Sequence, residues 1–303
     1  MSNLISSMMS AAGALDAYTS VLDVTQNNVA NTSTPGYAKQ TESLEAMPFD
    51  PAMGLTGGVL ASQVESTRDD YAEQTVQQQT TLLGQAQQDV SSLSSLQSQF
   101  DVTGSSGIDN AFNNLFQAFS AWGQTPTSTV ARQTVIQRAT DVATAFQQSA
   151  TGLATLAQDT NQQLLQTVSD INQISGQLAA YNQQIMGGDR NDAGLDARIH
   201  STLEQLSQYA GITAAKQADG TYSVLLNGQT ALVIENRSYG LRAAPAPNDP
   251  TAPNPEGPSH QSILSSTGTD VTSTVSGGQL ASLLIWPTMC FPAIWATRTN
   301  PAA

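Results

Sequence analysis

Between residues 128 and 186 the sequence carries one apolar rhythm, too long for an ordinary globular helix. Val135, Ala139, Val142, Phe146, Ser149, Leu153, Leu156, Thr160, Gln163 and Thr167 follow one another in alternating steps of 4 and 3. A second consecutive step of 4 leads to Ile171, after which Ile174, Leu178, Tyr181 and Ile185 resume the pattern. Such spacing is the heptad of a helix that packs on other helices. At 1.5 Å per residue the helix is roughly 90 Å long, which predicts a rod-like coiled coil with one locally unwound point at the doubled step. Pro126 breaks the chain before it and Gly187-Gly188 ends it.

A second heptad opens the chain. Leu4, Met8, Ala11, Leu15, Tyr18, Leu22 and Val29, with Thr25 in the remaining place, again alternate by 4 and 3. The helix runs into Asn27-Asn28-Val29-Ala30-Asn31 and is stopped at Thr34-Pro35-Gly36-Tyr37. Pro35 presets the second turn residue, and Gly36 tolerates the positive φ that a type II turn needs next. An apolar seam of this kind needs a partner helix; on heptads alone the partner is equally the core of an ordinary domain.

Between the two heptads, residues 42–65 hold Pro48, Pro51 and a glycine cluster, and read as a linker with a short extended piece. A Gln-rich helix is expected from Ser66 to about Phe100, with Tyr71, Leu82, Val90, Leu93, Leu96 and Phe100 toward one side. After a Gly-Ser turn, Asp109 is expected to cap a helix whose Phe112, Leu115, Phe116, Phe119 and Trp122 form an aromatic stripe at core spacing. Beyond the long helix comes a short one, from about Leu195 to Tyr209. A β-meander follows, with Asp219-Gly220 and Asn227-Gly228 as two-residue hairpin turns. Six of the 13 prolines crowd residues 244–258 into a loop. The fold class is therefore mainly α: an N-terminal heptad helix, a long antiparallel helical coiled-coil or bundle rod, and a small β-meander. The expected divisions are 1–41, 42–65, 66–190, 191–243, 244–284 and 285–303.

Composition removes several classes of function. With 24 acidic and 10 basic residues the net charge is −14, and Lys39 and Lys216 are the only lysines. Phosphate backbones and anionic membrane surfaces both require basic clusters, so neither nucleic acid nor a membrane is an expected partner. One cysteine, Cys290, excludes an internal disulfide framework. No apolar run reaches membrane-spanning length, and the N-terminus lacks the pattern of a cleaved signal.

The search for chemistry yields little. His200 and His260 stand 60 residues apart without a third ligand at metal spacing, so no metal site is expected. His200 reads as a solvated helix residue, His260 as a loop residue, and Asp69-Asp70 as a solvated pair. Gly54, Gly57 and Gly58 follow no apolar strand and open no helix, so they form no phosphate cradle. No serine sits in a local nucleophile motif. Neither catalytic residues nor a cofactor are expected, and the chain is not read as an enzyme.

The words along the first heptad add a family. Ala14-Leu15-Asp16-Ala17, Leu22-Asp23-Val24, Asn27-Asn28-Val29-Ala30-Asn31 and Thr34-Pro35-Gly36-Tyr37 occur in that order. This resembles the N-terminal signature of the bacterial flagellar axial proteins, the rod, hook and hook-associated proteins. The middle of the chain resembles the hook-associated members in particular. The matching words are Asp170-Ile171-Asn172-Gln173-Ile174, Leu195-Asp196-Ala197-Arg198, Asp219-Gly220-Thr221 and Gly277-Gly278-Gln279-Leu280. Ala197, Ile199 and His200 depart from the usual Leu-Asp-Gln-Arg-Asp type of word. A rod or hook subunit is the rival within the family, and a secreted helical type III effector or translocator the rival outside it.

The resemblance implies a structural subunit joining hook to filament. It implies a terminal helix that pairs with a helix from the C-terminal end of such chains. Its partners would be copies of itself, hook protein, the next hook-associated subunit, and the flagellar export apparatus with a chaperone. It also implies a location outside the cell, reached without a cleaved signal. The residues expected to carry assembly are Leu4, Met8, Leu15, Leu22 and Val29 on the seam, with Asn28, Asn31, Pro35, Gly36 and Tyr37 at its end. After Leu284 the text changes, with two of the three tryptophans and Cys290 in the final 19 residues. A family-like Asn-x-Val-Leu-Pro-x-Tyr phrase is compatible with the next reading frame. A frameshifted, truncated tail is the expectation there.

Overall fold

The structure is a computed structural model that describes residues 2–34, 36–50, 55–100, 107–189, 192–246 and 261–285. Pro35, Gly54, His260 and the tail from Trp286 onward, on which several of these expectations fall, lie outside the described residues. In chain order the helices are α1 (Ser2–Ala30), α2 (Asp70–Phe100), α3 (Ile108–Gln124), α4 (Thr129–Gly187) and α5 (Ala193–Tyr209). The strands are β1 (Gln40–Thr41), β2 (Leu44–Asp50), β3 (Leu55–Ala61), β4 (Glu65–Ser66), β5 (Ile212–Lys216), β6 (Tyr222–Leu226), β7 (Thr230–Ile234), β8 (Arg237–Ser238), β9 (Arg242–Pro245) and β10 (Gln261–Leu264). They fall into two compact units, one of Met1–Gln79, Ile174–Ser207 and Ile212–Tyr239, the other of the remaining residues.

The helix ends follow from local chemistry. Asp69, expected to be a solvated residue, caps α2: its Oδ1 accepts from the backbone N–H of Tyr71 at 2.9 Å and of Ala72 at 3.2 Å. Ser128 Oγ accepts from the N–H of Ala131 at the start of α4. Asp109 does not cap α3. Gly107 holds that place without a side-chain bond, and Asp109 sits in the first turn, where a carboxylate favours the helix dipole. At the far end of α4, Gly188 N–H donates to Ile185 and Asp189 N–H to Gln184, the paired bonds of a Schellman cap. Along α4, Thr134, Thr140, Thr144, Thr151 and Thr155 each donate to the carbonyl four residues back. Those bonds let a helix with few charges satisfy its hydroxyls by itself.

In the first unit, residues 42–65 are not a linker. β2 and β3 form an antiparallel hairpin, closed below by β1 against β4. The β5–β8 meander buries Tyr222, Val224, Leu226, Leu232 and Val233, α4 buries Ile174, Leu178 and Ile185, and α5 buries Leu195, Ile199, Leu203 and Leu206; hydrogen bonds tie Tyr222 to Asn182 of α4 and to His200 of α5. Neither predicted hairpin is a two-residue loop, since Leu226 pairs with Thr230 and Lys216 with Tyr222, but the one at Asn227-Gly228 is built on a two-residue turn. Asn227 (φ 46°) and Gly228 (φ 70°) are both left-handed and Gln229 N–H donates to Leu226, as in a type I′ turn. Around Asp219-Gly220 the loop is longer: Gln217 N–H donates to Thr221, Gly220 N–H donates to Gln217, and Gly220 has φ 89°. That is a turn followed by a glycine bulge.

In the second unit, α2 meets α4 where Leu96 packs on Leu153 and Ala157. The buried seam of α4 differs from the expected one. Leu164 and Ala157 are buried in place of Gln163 and Leu156. Between Leu153 and Leu178 the buried positions 153, 157, 160, 164, 167, 171, 174 and 178 keep unbroken heptad steps. The doubled step of 4 therefore falls around Leu153 and not at Thr167. Leu164 wins because a leucine gains about 1.5–3 kcal/mol on burial, whereas burying the amide of Gln163 requires hydrogen-bond partners. The aromatic stripe of α3 is not core either: Ala111 and Ala118 are its buried residues, while Phe112, Phe116 and Phe119 are exposed.

Of residues 244–284, expected to begin another domain, the described ones, 244–246 and 261–284, belong to this unit. β9 pairs with β10, and the helical stretch 278–285 buries Leu280, Ala281 and Leu283. Ser282 Oγ donates to Asp89 Oδ1 on α2. The Gly277-Gly278 landmark is a close-packed junction. Both glycines have φ near 70°, and a methyl group on Gly278 would stand 2.5 Å from the backbone of Tyr209.

Candidate functional site

α1 is built the opposite way round from a core helix. Its sheltered face carries Ser6, Ser10, Ala14, Ala17, Ser20, Val21, Val24 and Asn28, small or polar residues on one side of the helix. That face meets the hairpin: Ser10 Oγ donates to Gly57 at 3.2 Å, and Ser20 Oγ donates to Glu42 Oε2 at 2.8 Å. Gly58 permits the approach, since a Cβ there would lie 3.2 Å from Ser10 Oγ. The apolar heptad points away. Leu4, Met8, Leu15, Leu22 and Val29 are each between 66% and 69% exposed, and Tyr18 54%. A helix that hides serines and presents leucines to water leaves an apolar surface of the kind that marks an interaction site.

The residues expected at the seam's end do something else. Asn28 makes a two-way clamp on the chain that leaves the helix: its Nδ2 donates to Gln40 O at 2.8 Å, and Gln40 N–H donates to its Oδ1 at 2.9 Å. Tyr37 Oη donates to the same oxygen at 2.9 Å. Asn31 Nδ2 donates to the Asn27 carbonyl and accepts Thr34 Oγ1 on its own oxygen, closing the helix end. Gly36 is left-handed at φ 74°, and Tyr37 N–H donates to Thr34 across the turn, as expected. These four residues therefore set the exit angle of α1, while the seam residues face outward.

Below the turn lies a node that sequence reasoning missed. Arg68 is nearly buried. Its guanidinium donates to the Gly36 carbonyl, to Glu73 Oε1 and, at 3.2 Å, to Asp196 Oδ2. His200, expected to be solvated, is 6% exposed. Its Nε2 lies 3.0 Å from Tyr222 Oη and 3.6 Å from Asp196, and its Nδ1 3.5 Å from Glu73 Oε2. The three departures from the expected helix word, Ala197, Ile199 and His200, are all buried. Ala197 supplies the carbonyl against which Gly36 rests, 3.1 Å from where a Cβ would be. A cavity of about 300 Å³ opens beside the node, lined by Arg68, Asp70, Asp196, His200, Lys216 and Tyr222 among others. Among the described residues no cluster of His, Cys, Asp and Glu is arranged to hold a metal ion, and no helix is long and apolar enough to cross a membrane.

Burial, and then the Arg68 guanidinium, hold the His200 imidazole below its ordinary pKa, against the pull of Asp196, Glu73 and Asp70. Burial likewise raises Tyr222. The folded chain thus refuses a proton that the unfolded chain accepts near pH 6.5. Stability is fully present above about pH 6.5 and falls as the pH drops through that value toward the lowered folded pKa. Urea titrations at pH 7.5 and 5.5 are expected to show that loss in the wild type, and a smaller one in His200→Gln.

The Asn28 clamp is repeated twice on α4. In the second unit Asn172 Nδ2 donates to Leu241 O at 2.8 Å and accepts from Leu241 N–H at 2.7 Å. In the first, the fully buried Asn182 donates to Tyr222 O and Glu235 O and accepts from Tyr222 N–H at 2.9 Å. Glu235, left-handed at φ 52°, is held in its turn by that bond. Asn182→Leu is expected to cost about 3 kcal/mol, because it strands buried backbone groups worth about 1–3 kcal/mol each. The check is chemical denaturation, with Glu235→Gly in the same background separating turn strain from the lost bonds.

The fold is that of a mainly helical protein whose first helix turns its apolar heptad outward. The comparisons say which one. Residues 93–286, more than half of the chain, match the family described as the flagellar hook-associated protein FlgK helical domain. The chain belongs to that family. It is 26% identical over 265 residues to flagellar hook-associated protein 1 of Bacillus subtilis, covering 79% of this chain and 52% of the relative. To that of Salmonella typhimurium it is 27% identical over 266 residues, covering 83% and 46%. Among solved structures it resembles the flagellar hook junction protein FlgK from Burkholderia pseudomallei. There the TM-score is 0.58 at 26% identity, over 70% of this chain and 38% of that one. The chain spans about half the length of the curated relatives it matches.

Proposed function

We propose that this chain is a structural subunit of the bacterial flagellum, placed where hook joins filament, and that α1 is its pairing surface. One observation carries the reading: α1 spends its small, polar face on its own unit and leaves the heptad of Leu4, Met8, Leu15, Leu22 and Val29 exposed. Each such side chain gains about 1.5–3 kcal/mol when a partner helix covers it. The partner is a terminal helix of the kind the axial resemblance implies. Neighbouring copies, hook protein and the next hook-associated subunit surround it, and delivery is by the flagellar export apparatus with its chaperone. Asn28, Asn31, Gly36 and Tyr37 serve assembly indirectly, by fixing how α1 leaves its unit.

Purified protein added to isolated hooks is expected to occupy their distal tips, visible by electron microscopy after immunogold labelling. Absence from hook tips, with binding to lipid vesicles instead, would replace this reading by that of a secreted effector.

A further inference from the structure

Beneath the α1 turn, two carboxylates each stand between Arg68 and His200. Glu73 puts Oε1 on the Arg68 guanidinium and leaves Oε2 3.5 Å from His200 Nδ1. Asp196 puts Oδ2 on Arg68 at 3.2 Å and leaves Oδ1 3.6 Å from His200 Nε2. The two gaps to the ring are too long for hydrogen bonds, and Nδ1 is buried without one. While the ring is neutral, Arg68 therefore holds both carboxylates, and they aim its remaining N–H at the Gly36 carbonyl. The other charged and titratable groups around the ring are Asp70 at the start of α2 and Tyr222 on β6. Glu65 of β4, Asp192 ahead of α5 and Lys216 of β5 line the same cavity.

A proton on the ring changes which cation the carboxylates serve. A carboxylate beside Nδ1 favours the neutral tautomer with its hydrogen there, so Tyr222 Oη donates to Nε2. Protonation makes Nε2 a donor as well, and it faces Asp196. Charge-assisted bonds of 2.7–2.9 Å draw each carboxylate about 0.7 Å toward the ring and off the guanidinium. The new charge also repels Arg68. An arginine that has lost both anchors no longer points at Gly36.

We propose that His200 is an acid-sensitive catch on the exit turn of α1: once protonated it takes Glu73 and Asp196 from Arg68, and Arg68 lets go of the Gly36 carbonyl. The turn is then held by its own Thr34–Tyr37 bond and by the Asn28 clamp alone. The catch is a property of the free chain and goes beyond the subunit reading.

Hydrogen exchange on the full chain tests it, with the His200 ring followed by NMR in the same samples between pH 7.5 and 5.0. Exchange is expressed as protection relative to an unstructured peptide, which removes the intrinsic pH dependence. As the ring protonates, protection of residues 36–40 is expected to fall at least fivefold more than that of β7. In His200→Gln the two segments should change together. Arg68→Lys keeps the charge but not the fork that reaches three partners, so residues 36–40 should be poorly protected at both ends of the pH range. A ring that stays neutral down to pH 5.0 would overturn the proposal. So would a titrating ring with no excess loss at residues 36–40, the same excess in His200→Gln, or full protection in Arg68→Lys. Because the readout needs no hook, such a result leaves the subunit reading standing, and absence from hook tips leaves the catch standing.

Discussion

Replacing Leu15 and Leu22 together by Glu is expected to abolish incorporation at the hook tip while leaving the isolated chain as stable as before. Both side chains are about two-thirds exposed, at 68% and 67%, so the free fold should change by no more than about 0.5 kcal/mol. In an assembled seam the same positions are buried. Removing two leucines there forfeits about 3–6 kcal/mol, before the cost of burying two carboxylates. At about 1.4 kcal/mol per tenfold, that is a loss of affinity on the order of a hundredfold to ten-thousandfold. The control substitutes Thr19 and Gln26, exposed residues off the seam, by Glu and should bind as wild type. Equal occupancy by the seam variant would remove α1 from the assembly surface. A large drop in its melting temperature would show that the seam is internal after all.

Gly84→Ala should be the most damaging single substitution in the second unit. A Cβ at Gly84 would stand 2.1 Å from the Gln208 carbonyl oxygen, backbone that cannot swing aside as a flexible side chain would. Overpacking typically costs about 1–3 kcal/mol, and this contact should lie at or above the top of that range. For a unit of this size the melting temperature should fall by roughly 6–12 °C. Gly123→Ala is the matched comparison, because nothing lies within 4 Å of its Cβ position. There the change should stabilise by a few tenths of a kcal/mol to about 1 kcal/mol, through helix propensity. Calorimetry distinguishes the two, and similar melting temperatures for both variants would show that α2 does not approach Gln208 so closely.

What the sequence disclosed and what it hid divide along a physical line. The length and ends of α4 were legible because a heptad over 59 residues, bounded by Pro126 and Gly187-Gly188, admits few other readings. The N-terminal helix was legible for the same reason. The α3 aromatics were misplaced because periodicity reports which face is apolar, not whether its cover belongs to the same chain. The β2–β3 hairpin was hidden by Pro48 and Gly57-Gly58, which read as breakers; on a two-stranded ribbon a proline at an unpaired edge is tolerated.

His200 was hidden for another reason. A lone histidine carries no sequence signal of burial by itself, and its partners Arg68, Glu73 and Tyr222 lie elsewhere in the chain. The signal that could have found it was the departure at Ala197, Ile199 and His200. Replacing polar residues by apolar ones on a helix face reports a change in what that face touches. The asparagine clamps were likewise invisible. Asn28, Asn172 and Asn182 act on backbone N–H and C=O groups, which every residue carries.

The central claim, that the α1 seam is covered on assembly, has an internal reporter. Met8 lies on the seam and Met9 beside it, and in the free chain they are 66% and 71% exposed. Adjacent helix residues point about 100° apart, so a single partner helix covers one and leaves the other in water. Oxidation by dilute peroxide, followed by mass spectrometry, reads each methionine separately as its sulfoxide. In the free chain the two should oxidise at similar rates. In protein bound at hook tips Met8 should be protected at least tenfold while Met9 remains reactive. Equal oxidation of both in the bound state would contradict the account, because the heptad would then face solvent in the assembly as it does in the free chain.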